Sequence, residues 1–456
     1  MRLNPLRFTI RGVLVLTALL PHTVLAADDA AVNAAQTTGP VAEQVTAPVH
    51  PAQDLPEPLT LESVMGLPEN VSPQVMRAKA RHAQAQARYN LQETDDNFEL
   101  DLIGRLGWRE YDFQTEDNHL FGLHLGKELY DFGRNDAALE AEQRLTAAQN
   151  ELYQDQKIQF QIRLMQAYFN IILADFQYRI ENEAMAVAYI AMDKAEDRHE
   201  LKQLSDVEYL KLQSDYEKLL VKRTRASYEQ RRTRTNLANL VGRPDALPDK
   251  LRFPSLDSVT SRELEELSVY QQQALANNLH LKNLKLTLQA AESRLNGESL
   301  EDMPVFRVDA LGGYSSNYAY GREGRWRFDL TMDYPLYDGG VRSAKVSEAR
   351  AEVQAIQAEI HQYQQSLRDQ VADLYFKLQM AEAEKKQNKV FGEYSEIYLD
   401  YSRALYENES TTDLGDSMVR LSEANYQVIA QQFRQTLHWA QLDYLIGKPV
   451  QLETYQ

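Results

Sequence analysis

Two stretches of the chain alternate apolar and polar residues with a period of two. In FELDLIGRLGWR (98–109) the apolar positions share one face and the charged positions share the other, and RWRFDLTMDYPL (325–336) repeats this arrangement. Such alternation predicts strands with one apolar and one polar face. Weaker alternation beside each stretch predicts a partner strand. We expect strands over 98–113, 120–130, 304–318 and 325–336, with polar loops at 114–120 and 319–325 joining them in pairs.

Two much longer stretches have the composition of helices. Residues 134–241 contain no proline or glycine, and residues 341–446 contain only Gly392 and Gly415. Segments of this length without helix breakers predict a helical hairpin or a coiled-coil assembly. We therefore expect one helical hairpin over each of these two ranges.

Each hairpin is expected to turn at a polar stretch, QLSDVEYL (203–210) or ESTTDLGD (409–416). The outgoing arm is then about 70 residues, or roughly 105 Å at 1.5 Å per residue, and the return arm is about half as long. The helical stretches near 61–96 and 263–300 have the length that would complete the return arms. We expect a helical cylinder in which long helices lie beside end-to-end pairs of shorter ones.

The order of these features occurs twice in the chain. LYD at 129–131 recurs 207 residues later at 336–338, and LVGRP at 240–244 recurs as LIGKP at 445–449. The Ser-Asp of the first hairpin turn recurs as Thr-Asp at the same spacing. Landmarks in a fixed order at a nearly constant spacing indicate duplication. We expect two equivalent units, 60–255 and 256–456.

The first 26 residues have the pattern of a secretory signal peptide. Three arginines precede the apolar run GVLVLTALL (12–20), and VLA (24–26) supplies a cleavage site. Residues 27–59 are rich in alanine, proline and threonine and are expected to form an extended tail, because they cannot bury enough apolar surface to fold. The sequence therefore predicts export from the cytoplasm.

The charge balance and the cysteine count exclude several classes of protein. Loss of the leader removes three arginines and no acid, which takes the net charge from −18 to −21 and argues against nucleic acid as a partner. The absence of cysteine excludes disulfides and thiol chemistry. After the leader, no apolar run reaches the roughly 18 residues of a membrane helix, so entry into a membrane would have to use the strands.

The predicted strands have the length and two-faced pattern of transmembrane β-strands. An amphipathic hairpin on a soluble core is the alternative. Four strands are too few to close a barrel, and an open sheet edge is unstable in lipid. A membrane location would therefore require several chains to share one barrel.

These residues together resemble the TolC-like outer membrane efflux proteins, or outer membrane factors. The resemblance covers roughly residues 60–450 and includes ANNLHLKNLKLTLQAAESRL (276–295), which is similar to the helix before the family's third strand. It implies a mainly helical fold with a membrane portion: a homotrimer with a shared 12-strand barrel in the outer membrane and a helical tunnel across the periplasm. It also implies a periplasmic adaptor and an inner-membrane pump as partners, and no cofactor.

The resemblance places a gate at the tip of the second hairpin. The family's Asp-x-x-Asp pattern matches Asp413 and Asp416, which three chains would arrange as rings of carboxylates. A role for Asp413 as a helix cap is the alternative, and both roles can coexist. Gly415 stands where the family more often has leucine.

The resemblance also implies links that close the tip between the two hairpins. The family's Thr/Ser-Asp pair matches Ser205 and Asp206 of the first hairpin, either of which also suits a helix N-cap. Its arginine position falls on Glu409, which would repel Asp206. Arg403 and Tyr406 are the alternative partners.

The LYDxG landmarks are expected to mark the junctions between strands and helices. Pro335 would end a strand, and glycines would let the chain turn into a helix. Because the first copy has ELYDFG where the second has PLYDGG, the two junctions are expected to bend differently. The junction residues are Asp131, Gly133, Pro335, Asp338, Gly339 and Gly340.

The leading functional prediction is an outer membrane duct for passive export in a tripartite efflux or type I secretion system. The alternative is a soluble periplasmic coiled-coil scaffold or adaptor. An enzyme is disfavoured because no catalytic constellation is evident; HELKQ (199–203) lacks the second histidine of a zinc-protease motif.

Overall fold

The structure is a computed structural model of the chain. It describes residues 55–111, 114–243, 249–256, 259, 261–316, 324–407 and 414–450. The expected leader and most of the expected tail, as well as Glu409 and Asp413, lie outside these residues.

Each half of the chain runs from short helices through strands into a helical hairpin. The first half contains α1 (Leu61–Met65), a 3-10 turn (Glu69–Val71), α2 (Pro73–Thr94), β1 (Glu99–Arg105), β2 (Trp108–Tyr111), β3 (Gln114–Asp117), β4 (Leu120–Tyr130), α3 (Arg134–Glu200) and α4 (Asp206–Leu240). The second half contains α5 (Leu267–Asn277), α6 (Leu279–Ser299), β5 (Val305–Ser315), β6 (Gly324–Asp333), α7 (Val341–Glu407) and α8 (Leu414–Leu445).

The described residues form a four-stranded antiparallel sheet in the order β1-β4-β5-β6. Its register places apolar side chains opposite one another on one face, as in Leu102 opposite Leu123 and Ala310 opposite Phe328. The other face carries charged positions such as Asp309, which lies opposite Asp329. The alternation therefore produces the two-faced sheet that the sequence predicts.

The prediction of one continuous strand over 98–113 is wrong, because this stretch is broken into β1 and β2. The break falls at Gly107, whose carbonyl accepts a hydrogen bond from the Asn118 amide at 2.7 Å. Residues beyond the break pair with β3, which occupies part of the expected loop 114–120. The ring of Trp108 packs edge-on against His119 at 5.4 Å and stabilises this separate ribbon.

The strand expected over 325–336 ends early, at Asp333. Asp333 pairs with Val305, the first residue of β5, so no partner remains for the next residue. Pro335 then lacks the amide that would continue the ladder. The strand expected over 304–318 likewise begins and ends inside its predicted bounds, at Val305 and Ser315.

The two hairpins have outgoing arms of equal length, 67 residues in α3 and 67 in α7. Buried positions recur every seven residues, the spacing of a coiled coil. In α3 they are Ala141, Ala148, Asp155, Ile162 and Phe169, and in α7 they are Leu367, Leu374, Ala381, Asn388, Ser395 and Ser402. The side chains at these positions in α7 become smaller and more polar toward the tip. No helix in the described part of the chain has both the length and the apolar character needed to span a membrane.

The short helices stack end to end, as the arm lengths predict. Gly242 follows α4 and lies against Val71, just before α2, whereas Gly447 follows α8 and lies against Asn277 at the end of α5. The long helix α3 packs against both α4 and α2, and α7 packs against both α8 and α6. The largest fully buried side chains include Trp439, Tyr168, Phe169 and Phe433, and the rings of Phe169 and Phe433 stack with centroids 4.2 Å apart between α3 and α8.

Candidate functional site

The first strand-to-helix junction is organised by the side chain of Asp131. Its carboxylate accepts hydrogen bonds from the amides of Gly133 at 2.9 Å and Asn135 at 2.5 Å, both at the start of α3. These amides have no partner inside the helix, so a carboxylate at this point stabilises the helix start.

The second junction repeats this arrangement at the equivalent positions. Asp338 accepts hydrogen bonds from the amides of Gly340 at 2.9 Å and Arg342 at 2.8 Å. These bonds hold the pKa of Asp338 below its ordinary value. Both landmarks therefore use one aspartate to turn a strand into a long helix.

The expectation that the two junctions bend differently is wrong. Phe132 has a φ of 62°, close to the 70° of Gly339 at the equivalent position, and Gly133 has 89° where Gly340 has 91°. The paired aspartate bonds impose the same backbone path on both copies. Phe132 adopts the left-handed conformation that favours glycine, and its ring packs against Tyr130 with centroids 4.7 Å apart.

The first hairpin tip begins its return helix with a reciprocal cap. Ser205 Oγ accepts a hydrogen bond from the Glu208 amide, and Glu208 Oε2 accepts from the Ser205 amide, each at 3.3 Å. The Ser205 bonds lower the pKa of Glu208. Of the two predicted capping residues, Ser205 is therefore the N-cap of α4.

Asp206 is held by its own hairpin. His199, in the last turn of α3, lies with Nε2 2.7 Å from Asp206 Oδ1, and its ring stacks on Tyr209 at 4.8 Å. The carboxylate is otherwise open to solvent, with 88% of its side chain exposed. The described residues therefore offer a partner for Asp206 that does not require the second hairpin.

The second hairpin tip places Asp416 in the first turn of α8. Arg420, one turn further on, has Nη2 3.1 Å from Asp416 Oδ2, and this carboxylate raises the pKa of Arg420. The guanidinium carbon also lies 5.3 Å from the ring centroid of Tyr398 in α7. The arginine thus partly neutralises the aspartate and fixes it against the outgoing arm.

The structure does not join the remaining predicted tip residues in a single chain. Arg403 pairs with Asp400 of its own helix at 3.8 Å, and Tyr406 is exposed. Within the described part of the chain, neither of them bonds to Ser205 or Asp206. Contacts between them remain a prediction.

The two hairpins meet instead at Ser422, which the sequence patterns did not single out, and at Gly415, both in α8. Ser422 of α8 donates a hydrogen bond to Glu183 of α3 at 2.7 Å. Gly415 lies so close to Val187 that a Cβ on it would come within 2.5 Å of that side chain. A leucine at this position would require the hairpins to separate, which explains the glycine found here.

One protein family matches both halves of the chain. The model of the outer membrane efflux protein family matches residues 69–243 and 270–448, which together make up more than half of the chain. The chain belongs to this family. The two matched ranges contain both hairpins, so the duplicated, mainly helical fold expected from the sequence is confirmed, and the outer membrane efflux protein has a periplasmic helical part.

Solved outer membrane channels share the fold of this efflux protein. CmeC of Campylobacter jejuni matches with a TM-score of 0.72 at 12% identity, covering 85% of this chain and 85% of CmeC. VceC of Vibrio cholerae matches with 0.70 at 16% identity, covering 86% and 97%. MtrE of Neisseria gonorrhoeae matches with 0.66 at 16% identity, covering 87% and 91%. No curated protein sequence matches the chain.

Proposed function

We propose that three copies of this chain form a passive exit duct in a tripartite efflux or type I secretion system. A periplasmic adaptor and an inner-membrane pump would dock at the hairpin tips, and the pump would supply the energy. The observation that carries the proposal is the family match across both halves of a duplicated chain. The family match also favours a duct over a soluble periplasmic scaffold, and CmeC and MtrE, which share this fold, are outer membrane channels.

The sheet supports a trimer with a shared barrel. Its apolar face is uncovered in one chain, where Trp326 is 76% and Leu330 is 64% exposed. Strands β1 and β6 are the two edges, and an unpaired edge cannot persist in lipid. Pairing β6 of one copy with β1 of the next would close both edges, and three copies of four strands would give the 12-strand barrel.

We place a gate at the tip, formed by the rings of Asp416 and Asp413. Three carboxylates brought close together repel one another and attract cations. Arg420 would moderate this field, because each Asp416 already has a cation 3.1 Å away. MtrE, which shares the fold, was solved in an open state, which supports a tip that opens.

The gate is tested by single-channel recording with matched variants. Asp413→Ala combined with Asp416→Ala should reduce cation selectivity and block by divalent cations. Arg420→Ala should do the opposite, because it removes the guanidinium that lies 3.1 Å from each Asp416 carboxylate. Selectivity that is unchanged in both variants would refute the assignment of the gate while leaving the duct itself possible.

The trimeric duct is tested by membrane fractionation followed by native mass measurement in detergent. We expect the protein in the outer membrane fraction with the mass of three chains. Recovery from the soluble periplasm as a monomer would instead support the scaffold.

A further inference from the structure

One short segment in the middle of α3 reaches both stacking points of the short helices. Tyr153 and Lys157 bond to Glu69, in the 3-10 turn that precedes α2. Two residues along the helix, Asp155 and Gln159 bond to Tyr444, near the end of α8. Because the members of each pair are four residues apart and the two pairs are offset by two residues, or about 200° around the helix, the pairs lie on nearly opposite faces of α3, and about two turns of this helix contact both stacking points.

The carboxylate at the first stacking point, Glu69, is held by a cation. Lys157 Nζ lies 2.6 Å from Glu69 Oε1, and the Tyr153 hydroxyl donates to the other oxygen. These bonds lower the pKa of Glu69. This contact is therefore made with the charged form of the glutamate.

The second carboxylate, Asp155, is buried, and its hydrogen-bond partners are a hydroxyl and a side-chain amide. Asp155 is 2% exposed and occupies a core position of the coiled coil. It accepts hydrogen bonds from the Tyr444 hydroxyl at 2.7 Å and from Gln159 Nε2 at 2.8 Å. The other titratable groups that face it are His280 of α6 and Tyr363 of α7, whose rings pack 4.6 Å apart.

The network around Asp155 continues to the break between α5 and α6. The Tyr363 hydroxyl donates to Asn278 Oδ1 at 3.1 Å, and Asn278 Nδ2 donates to the carbonyl of Leu445 at 3.1 Å. Asn278 also caps α6 by accepting from the Leu281 amide at 3.0 Å. Polar bonds thus connect α3, α6, α7 and α8 where the second pair of helices stacks.

We propose that Asp155 is a proton-dependent lock on this stacking point. In its neutral form the acid accepts the Tyr444 bond without placing a charge in the core. When it loses the proton to solvent, a carboxylate is left buried away from water, and opening of the contact between α3 and the end of α8 becomes easier because it returns that charge to water. The proposal concerns the helical body and does not depend on the proposed export function.

The direction of the pH effect follows from the environment of Asp155. Burial raises its pKa above the ordinary value of 3.8, so the folded protein binds more protons than the unfolded chain between these two values. Stability from this site is complete below about pH 4 and is lost as pH rises through the folded-state pKa. Glu69 has the opposite sign, because its contribution is present above its ordinary pKa of 4.5 and lost as pH falls.

The test compares the full-length protein with Asp155→Asn and with the matched control Glu69→Gln, all in the same detergent. Hydrogen exchange at the amides of Tyr444 and Leu445 is followed from pH 4 to pH 8 and corrected for the intrinsic rate. We expect protection in the native protein to fall several-fold as pH rises. In Asp155→Asn it should stay level, because the amide oxygen still accepts the Tyr444 bond, whereas Glu69→Gln should retain the native profile at these amides.

The same pH-dependent loss of protection in Asp155→Asn as in the native protein would overturn the proposal. Tyr444→Phe supplies a second test, because it leaves Asp155 buried and removes its hydroxyl donor. The midpoint of the loss of protection should then move to higher pH, since the charged form has lost a hydrogen bond. A midpoint that does not move, or that moves to lower pH, would also overturn the lock.

Discussion

Gly447 and Gly242 occupy equivalent positions in the two repeats but have different neighbours. Both have left-handed backbones, with φ of 73° and 70°. A Cβ added to Gly447 would lie 2.3 Å from the carbonyl oxygen of Asn277, which is backbone and cannot turn aside. Among the described residues, a Cβ on Gly242 would meet only Val71, at 3.5 Å, which is ordinary contact.

These distances set the expected cost of alanine at each position. A left-handed alanine costs roughly 1–2 kcal/mol, and this applies to both sites. At Gly447 the clash must also push α5 away from α8, and such overpacking adds about 1–3 kcal/mol. We therefore expect Gly447→Ala to be more destabilising than Gly242→Ala by about 1–3 kcal/mol.

Thermal or denaturant unfolding of the purified protein, followed by far-ultraviolet circular dichroism, measures this difference. Gly392→Ala is the control, because this glycine lies within α7 and a Cβ on it would meet no atom of the described residues within 4 Å. We expect it to be neutral or stabilising by about 0.5–1 kcal/mol. An equal or smaller loss for Gly447→Ala than for Gly242→Ala would refute the close packing inferred at the second stacking point.

Three further predictions concern other contacts. Arg262 is a bidentate partner of the buried Asp443 carboxylate, at 2.8 and 2.9 Å. Arg262→Ala should therefore lower the free energy of unfolding by about 3 kcal/mol and Arg262→Lys should lower it by less, and denaturant midpoints should show this order. Asp131→Ala should cost about 1 kcal/mol, and exchange of the first amides of α3 should become faster, whereas an unchanged rate would contradict the cap. Gly415→Leu should shift the open probability in single-channel recordings, and Val187→Ala should partly restore it; a lack of restoration would argue against the clash.

The sequence was sufficient for elements that depend on repeated patterns. Alternation located the strands, the lack of helix breakers located the hairpins, and the duplicated landmarks located equivalent positions. Their ends were less predictable, because they depend on partners distant in the chain. Residue 333 ends β6 because Val305 begins β5, and no local pattern encodes that register.

The candidate site was predictable only where one residue type has one local role. Ser205 has the spacing to Glu208 that defines a capping box, and the structure has that cap. Phe132 was misleading, because its left-handed backbone is imposed by the Asp131 bonds and not by its own preference. The sequence did contain a signal for Asp155. It is the one acidic residue in a series of buried positions spaced seven residues apart, from Ala141 to Phe169, and an acidic residue at a core position requires a partner.

Recording from the purified protein in planar lipid bilayers tests the proposed duct most directly. Three chains that share a barrel and a tunnel should produce discrete conductance steps of uniform size. The steps should be selective for cations and should become less selective when Asp413 and Asp416 are both replaced by alanine. Bilayers that remain non-conducting with correctly folded, trimeric protein at every voltage and pH tested would contradict the assignment as an export duct.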